Sequence, residues 1–127
     1  MNTLGVGIDL VDVDRVAGLL ERKAERAVTR LLTDSEREYC FAQPVPARHV
    51  AARIAAKEAA YKALQVNETA RAIGWRDIEV LRGNKGEPTL KLQGLARSVA
   101  DDMGVAETLV SISHSASQAA AVVILLG

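Results

Sequence analysis

The segment from Ala47 to Leu64 constrains this chain more than any other. It follows the breaker Gln43-Pro44-Val45-Pro46, contains neither glycine nor proline, and is rich in strong helix formers. Val50, Ala51, Ile54, Ala55, Ala59, Ala60, Ala63 and Leu64 spread apolar groups almost all round the helix axis. Such a helix has to be covered by other elements, so the rest of the chain is expected to wrap it. With 127 residues, the chain reads as one domain and has no comfortable room for a second.

The wrapping elements are legible from period and punctuation. In Leu4–Val11, Val6, Ile8 and Leu10 alternate with Gly5, Gly7 and Asp9, which predicts a strand with Asp9 on the face opposite Ile8 and Leu10. A helix is expected from about Asp14 to Leu32, capped by Asp12 or Asp14, with Leu20, Ala24, Ala27 and Leu31 as its apolar side. Thr33 and Glu36 have capping-box spacing and start a short helix. Asp77–Arg82 and Thr89–Leu92 flank Gly83-Asn84-Lys85-Gly86 and predict a hairpin. Leu95–Met103 reads as a helix, and Val110–Ser113 and Ala120–Leu126 as two more strands. The order is that of an α+β fold with antiparallel strands packed on the long helix.

Composition narrows the function classes. Sixteen basic and sixteen acidic residues give zero formal charge, which disfavours nucleic acid or an anionic membrane as partner. Four aromatic residues (Tyr39, Phe41, Tyr61, Trp75) leave few platforms for stacking bases. No apolar run approaches the roughly 20 residues of a membrane helix, and no basic n-region precedes the first apolar stretch. Cys40 stands alone, so no intrachain disulfide or cysteine metal cluster is expected, and a cytoplasmic location fits. The chain has 21 alanines, which bury little area each, so oligomerisation is expected to supplement the core.

Against this background the charges on the central helix stand out. Arg53, Lys57, Glu58 and Lys62 sit among alanines, where burial without a task costs several kcal/mol per ion. Glu58 and Lys62 are spaced i,i+4 and share a face, which a surface ion pair would also explain. Asp9 could join Glu58 around a divalent cation, with waters and substrate oxygens completing six ligands, or it could be a satisfied polar residue. His114, within Ser-Ile-Ser-His-Ser, fits a base, a phosphate donor or a packed imidazole. The phosphate-loop, zinc-protease and nucleophile-elbow motifs are all absent from the sequence.

Gly5-Val6-Gly7-Ile8-Asp9-Leu10-Val11-Asp12, followed by Arg53-Ile54-Ala55-Ala56-Lys57-Glu58-Ala59-Ala60-Tyr61-Lys62-Ala63-Leu64, resembles the two signature blocks of 4′-phosphopantetheinyl transferases. Trp75–Val80, the Gly86-Glu87-Pro88 turn and Val110–Ser115 fall in matching order, so the resemblance spans essentially the whole chain. The length matches the short branch of that family, the holo-[acyl-carrier-protein] synthases. The resemblance implies transfer of phosphopantetheine from coenzyme A to a serine of an acyl carrier protein, releasing adenosine 3′,5′-bisphosphate, in fatty-acid or polyketide synthesis. It implies Mg²⁺ (or Mn²⁺) on Asp9 and Glu58, and Lys62 stabilising phosphate charge or protonating the leaving group. Arg53, Lys57, Lys62, Ser113 and His114 match positions near the nucleotide and its phosphates, with Gly86 and Pro88 also on coenzyme A. For the serine's general base, Glu58 (directly or through a water) comes before His114.

The resemblance also implies a homotrimer with coenzyme A between subunits, Asp9 and Glu58 on one side of each site and the Gly86/Pro88 region on the other. The first helix then gains a role. Arg15, Arg22, Arg26 and Arg30 fall within about 80° on a helical wheel, with Leu19 inside the stripe, a pattern that suits docking of a small acidic helical carrier. Three departures mark this chain: Gln65-Val66-Asn67 where many members have Gly-Thr-Gly, Ile54 in place of an aromatic, and Ser115–Gln118 without the usual acidic residue and tyrosine. The alternative, from another class, is a catalytically silent trimer that binds coenzyme A or a carrier protein as a scaffold.

Overall fold

The computed structural model describes residues 1–127. Its elements run β1 (Thr3–Asp12), α1 (Val13–Leu31), α2 (Asp34–Phe41), α3 (Pro46–Ala63), β2 (Ile78–Arg82), β3 (Pro88–Leu92), α4 (Gly94–Met103), β4 (Glu107–His114) and β5 (Gln118–Leu126). Two 3-10 turns, Glu68–Ala72 and Trp75–Asp77, join α3 to β2. The expected α+β class is observed, with the strands in two antiparallel sheets: β1-β5-β4, and the β2-β3 hairpin.

α3 is central, as its all-round apolar pattern requires. Eight of its alanines are buried, and Pro46 at its first turn starts it where a missing N–H costs nothing. The small side chains let it lie very close to the larger sheet. Gly5 and Gly7 complete that fit: a Cβ on Gly7 would strike the Ala59 carbonyl, and one on Gly5 the Ala63 carbonyl. The glycine face of β1 is therefore the inner one, and Asp9, next in the same alternation, emerges beside α3. Val6, Ile8 and Leu10 face outward and are 59%, 68% and 62% exposed, far more than an edge strand covered by solvent alone would favour. Directly opposite partners share a face, so Ile124 and Leu109 continue the row of Val6, and Val122 the row of Ile8.

The α2 capping box forms as expected: Thr33 N–H donates to Glu36 Oε1 at 2.9 Å and Glu36 N–H to Thr33 Oγ1 at 3.4 Å. The cap expected for α1 does not. Asp12 is its N-cap residue but makes no capping hydrogen bond, and its carboxylate accepts from Gln118 Nε2 instead at 3.2 Å. α1 is also kinked at Lys23, where φ is −145° and ψ is 42°. One straight wheel therefore cannot describe it. Ala24 is exposed, while Val13, Val16, Ala27 and Val28 supply the buried side.

Candidate functional site

Charged residues on α3 fall into three environments, each fixed by what lies against that part of the helix. The first is a carboxylate–lysine cluster at β1. Lys62 Nζ donates to Asp9 Oδ1 at 3.0 Å and to the Ile8 carbonyl at 2.9 Å. Its ion pair thus goes to Asp9 and not to Glu58, four residues back. Glu58 is half-buried and receives no hydrogen bond from the chain. Burial and then the negative charge of Asp9 hold its carboxyl above the ordinary range, with Lys62 only partly offsetting them. Two carboxylates facing one ammonium leave negative charge uncompensated, which suits a divalent cation. No third acidic, histidine or cysteine ligand is grouped with them, so the protein would supply two ligands and leave the rest to substrate oxygens and water, a magnesium-like donor set.

Asp9 and Glu58 line a groove of about 780 Å³ whose other wall is the first half of α1, including Arg15, Leu19 and Arg22. Arg26 lies beyond the Lys23 kink and does not line it. The stripe expected on a straight helix is therefore split, and its N-terminal half borders the carboxylates. Behind Glu58 a second cavity of about 330 Å³ has Tyr61, Ile73, Trp75 and Ile78 as apolar walls, with Arg71 and the buried Lys57 also lining it.

The second environment is cationic. Arg53, Gly86, Pro88 and His114 come together around a pocket of about 190 Å³, with Tyr39, His49 and Arg82. No carboxylate lines it. Arg53 is 6% exposed, and its Nε is buried without a hydrogen-bond partner. Its guanidinium lies 4.4 Å from the centre of the Tyr39 ring, and that of Arg82 lies 4.7 Å from the same ring, which holds two like charges together by cation–π attraction. An orphaned, buried guanidinium N–H is a donor waiting for an acceptor. Ser113 does not join this group. It pairs with Ala120 in the row of Leu10, on the outer face of the sheet, while His114 faces inward.

The third environment is sealed and overturns the expectation for Lys57. Its ammonium sits 2.6 Å from Glu36 Oε1 and donates to the carbonyls of Leu31 at 2.8 Å and Trp75 at 3.0 Å. All three protons are taken, and the two side chains are 1% and 0% exposed. Glu36 Oε2 accepts Val80 N–H at 2.9 Å. Burial pulls the Lys57 pKa down while Glu36 opposes it. Lys57 thus ties α1, α2, α3 and β2 together and has no donor left for a phosphate.

Tyr39, His49 and Arg82 escaped the sequence reading. His49 had one usable signal, its i,i+4 spacing to Arg53, and Arg82 directly precedes the hairpin loop carrying Gly86. Tyr39 had none, because its partners, His49 and Arg53 on α3 and Arg82 on β2, are distant in sequence.

Comparison with known proteins gives a consistent picture. The profile of the 4′-phosphopantetheinyl transferase superfamily matches residues 5–123. Holo-[acyl-carrier-protein] synthase of Anaeromyxobacter sp. (strain K) is 45% identical over 127 residues, covering 98% of this chain and 96% of that protein. Its counterpart in Geobacter metallireducens is 40% identical over 121 residues, 95% of both chains. Among solved structures, the Helicobacter pylori holo-[acyl-carrier-protein] synthase in complex with coenzyme A has a TM-score of 0.80 at 28% identity, covering 95% of this chain and 99% of that one. The Neisseria meningitidis enzyme, at 23% identity, shares the fold with a TM-score of 0.86 over 99% of this chain and 100% of its own.

Proposed function

The chain belongs to the 4′-phosphopantetheinyl transferase superfamily, in its holo-[acyl-carrier-protein] synthase branch, and from that premise we propose that it moves phosphopantetheine from coenzyme A to a serine of an apo acyl carrier protein. The observation that carries this reading is the Asp9–Glu58–Lys62 cluster at the head of a groove walled by Arg15, Leu19 and Arg22.

In the proposed reaction the carrier's serine oxygen attacks the phosphorus that bears pantetheine. The bond from that phosphorus to the bridging oxygen breaks, and adenosine 3′,5′-bisphosphate leaves. Asp9 and Glu58 would hold Mg²⁺ or Mn²⁺, which when bound neutralises phosphate charge. The Lys62 ammonium is half-exposed on the same cluster and available to the leaving phosphate oxygen, as a counter-charge or proton donor. Glu58, which lines the groove and receives no hydrogen bond from the chain, is the first candidate to accept the serine proton, directly or through a water. His114 lines the cationic pocket and not the groove, so we assign it to the nucleotide with Arg53, Gly86 and Pro88. The apolar cavity behind Glu58 has room for the pantetheine arm.

These groups occupy opposite edges of one sheet. Asp9 is on β1 and His114 on β4, with β5 between them, so two strand spacings, roughly 10 Å, separate the edges. We therefore read the site as shared. Association through the exposed Val6, Ile8 and Leu10 face would bury that apolar surface and join one copy's carboxylates to a neighbour's cationic pocket, as in a homotrimer. α1 would dock the acidic carrier through Arg15, Leu19 and Arg22, delivering its serine toward Glu58. No helix is long and apolar enough to cross a membrane, and the cytoplasm remains the proposed location.

The test is to incubate the protein with coenzyme A, Mg²⁺ and apo carrier and weigh the carrier by intact mass spectrometry. A gain of one phosphopantetheine, abolished by chelator, is the expected result. No gain with carriers of fatty-acid, polyketide and nonribosomal pathways would overturn the reading in favour of coenzyme A or carrier binding without catalysis.

A further inference from the structure

The cationic pocket contains two imidazoles that its fixed charge does not require. Arg53 from α3 and Arg82 from β2 already supply permanent positive charge, and Arg48 adjoins His49 on its own helix. His49 and His114 nevertheless face each other with ring centres 5.3 Å apart at 64°, and His49 meets the edge of Tyr39 from α2 at 5.7 Å. Neither imidazole is hydrogen-bonded within the chain. The groups facing His49 are thus Arg48 and Arg53 from its own helix, Tyr39 from α2, Arg82 from β2 and His114 from β4, with no acid among them.

An empty pocket of this kind opposes charging of His49. Burial lowers its pKa first, and then the positive fields of His114, Arg53, Arg48 and Arg82 lower it further. A phosphate dianion entering the pocket reverses the sign of that field. Histidine differs here from a further arginine. It adds its charge only when an anion is present to receive it, so the empty state carries no extra repulsion.

Resting on the nucleotide-pocket reading above, we propose that His49, paired with His114, takes up a proton from solvent when the 3′-phosphate of coenzyme A enters. That phosphate is the only monoester in coenzyme A, whereas the pyrophosphate carries no second ionisation near neutrality. The bookkeeping is simple: one imidazole nitrogen gains a proton, the phosphate remains a dianion, and no covalent bond changes. His49 is thereby a binding residue whose contribution is proton-coupled and specific for a terminal phosphate.

Isothermal titration of the protein with coenzyme A, in buffers of different ionisation enthalpy, tests this. Work between about pH 7 and pH 8.5 stays above the phosphate's own second pKa of about 6. The expected result is net proton uptake and a Kd that tightens several-fold as pH falls across this range, within the limit of about tenfold per pH unit for one coupled proton. 3′-Dephospho-coenzyme A should bind more weakly and without uptake. His49→Gln should lose the uptake and flatten the pH dependence; His114→Gln, measured in parallel, should reduce the uptake and guards against a fold defect in the first variant. Coenzyme A binding with the same proton count and pH slope in wild type and both variants would overturn the coupling while leaving the nucleotide pocket in place. If instead Arg53→Met and Arg82→Met leave coenzyme A affinity unchanged, the pocket does not hold the nucleotide, and both readings fall.

Discussion

Lys57 and Glu58 are neighbours in sequence on one helix, yet their surroundings could hardly differ more. The Lys57 ammonium has three acceptors within 3.0 Å and no exposure to speak of. The Glu58 carboxylate has no hydrogen bond from the chain, a like charge beside it at Asp9, and an open groove in front. One backbone step, about 100° around the axis, turns the first toward α2 and β2 and the second toward β1 and α1. The lesson concerns saturation. A buried charge whose hydrogen-bonding capacity is filled is part of the fold, whereas one left under-satisfied at a groove has capacity for a ligand.

The largest effect should come from the unsaturated side. Glu58→Gln keeps shape and volume but removes the negative charge, so kcat should fall on the order of 10²–10⁴-fold while the thermal midpoint stays near wild type. Phosphopantetheine transfer followed by carrier mass, alongside thermal melting, checks both halves. Wild-type turnover in this variant would remove Glu58 from the chemistry and the contrast with it.

On the saturated side the pattern should invert. Lys57→Met strands the Glu36 carboxylate in the interior, and breaking a buried pair in this way costs about 3–5 kcal/mol. Urea unfolding should register that loss, while turnover per folded molecule should change far less than in Glu58→Gln. The double variant Glu36→Leu, Lys57→Met should regain much of the stability, because replacing both charges leaves neither unpaired. A Lys57→Met protein of native stability but without turnover would make Lys57 a substrate contact after all.

Sequence alone cannot separate these two residues, because saturation belongs to the tertiary structure. What was legible is whatever local pattern decides. The α3 helix and its central place follow from alanines on every side, and the α2 capping box from Thr33 and Glu36. The Asp9 face of β1 could be told from the Ile8 face by alternation, but not which of them is covered. Hydropathy would put Val6, Ile8 and Leu10 inside, yet close packing against α3 tolerates only Gly5 and Gly7 there. The Lys23 kink has no glycine or proline to announce it, so the basic stripe looked continuous as far as Arg30. The cationic pocket was half visible through Arg53, Gly86, Pro88 and His114. Tyr39, His49 and Arg82 reach it by folding.

The kink makes a third, smaller effect informative. Arg22 lines the groove with Glu58, while Arg26 lies past Lys23. Arg22→Glu should weaken carrier binding on the order of tenfold at low salt and less at high salt, with coenzyme A affinity little changed. Arg26→Glu should do less. Surface-binding titrations of carrier against both variants separate the two halves of α1; equal losses would mean that the carrier spans the kink.

The smallest effect lies at the rim of the saturated network and depends on pH. Thr33 Oγ1 donates to Glu79 Oε2, and Ser35 Oγ donates to the same oxygen at 2.8 Å. Partial burial pushes the Glu79 pKa up, but these two hydrogen bonds, with the nearby Lys91 and Lys57, pull it down further, so the net direction is below the ordinary value of 4.5. The folded state therefore binds the Glu79 proton less readily than the unfolded chain. Its contribution is present in full above the unfolded pKa and is lost as pH falls through the folded one. Because the side chain is only partly buried and solvent screens it, a contribution of about 0.5 kcal/mol is the appropriate scale. Glu79→Gln should accordingly lower stability slightly at neutral pH and converge with wild type in acid, as followed by urea midpoints from about pH 7 to pH 3. A gap between the two proteins that widens in acid would mean that the unfolded state, and not the Thr33–Ser35 cap, sets the proton affinity of Glu79. The rim would then have no part in the network that keeps Lys57 out of the chemistry.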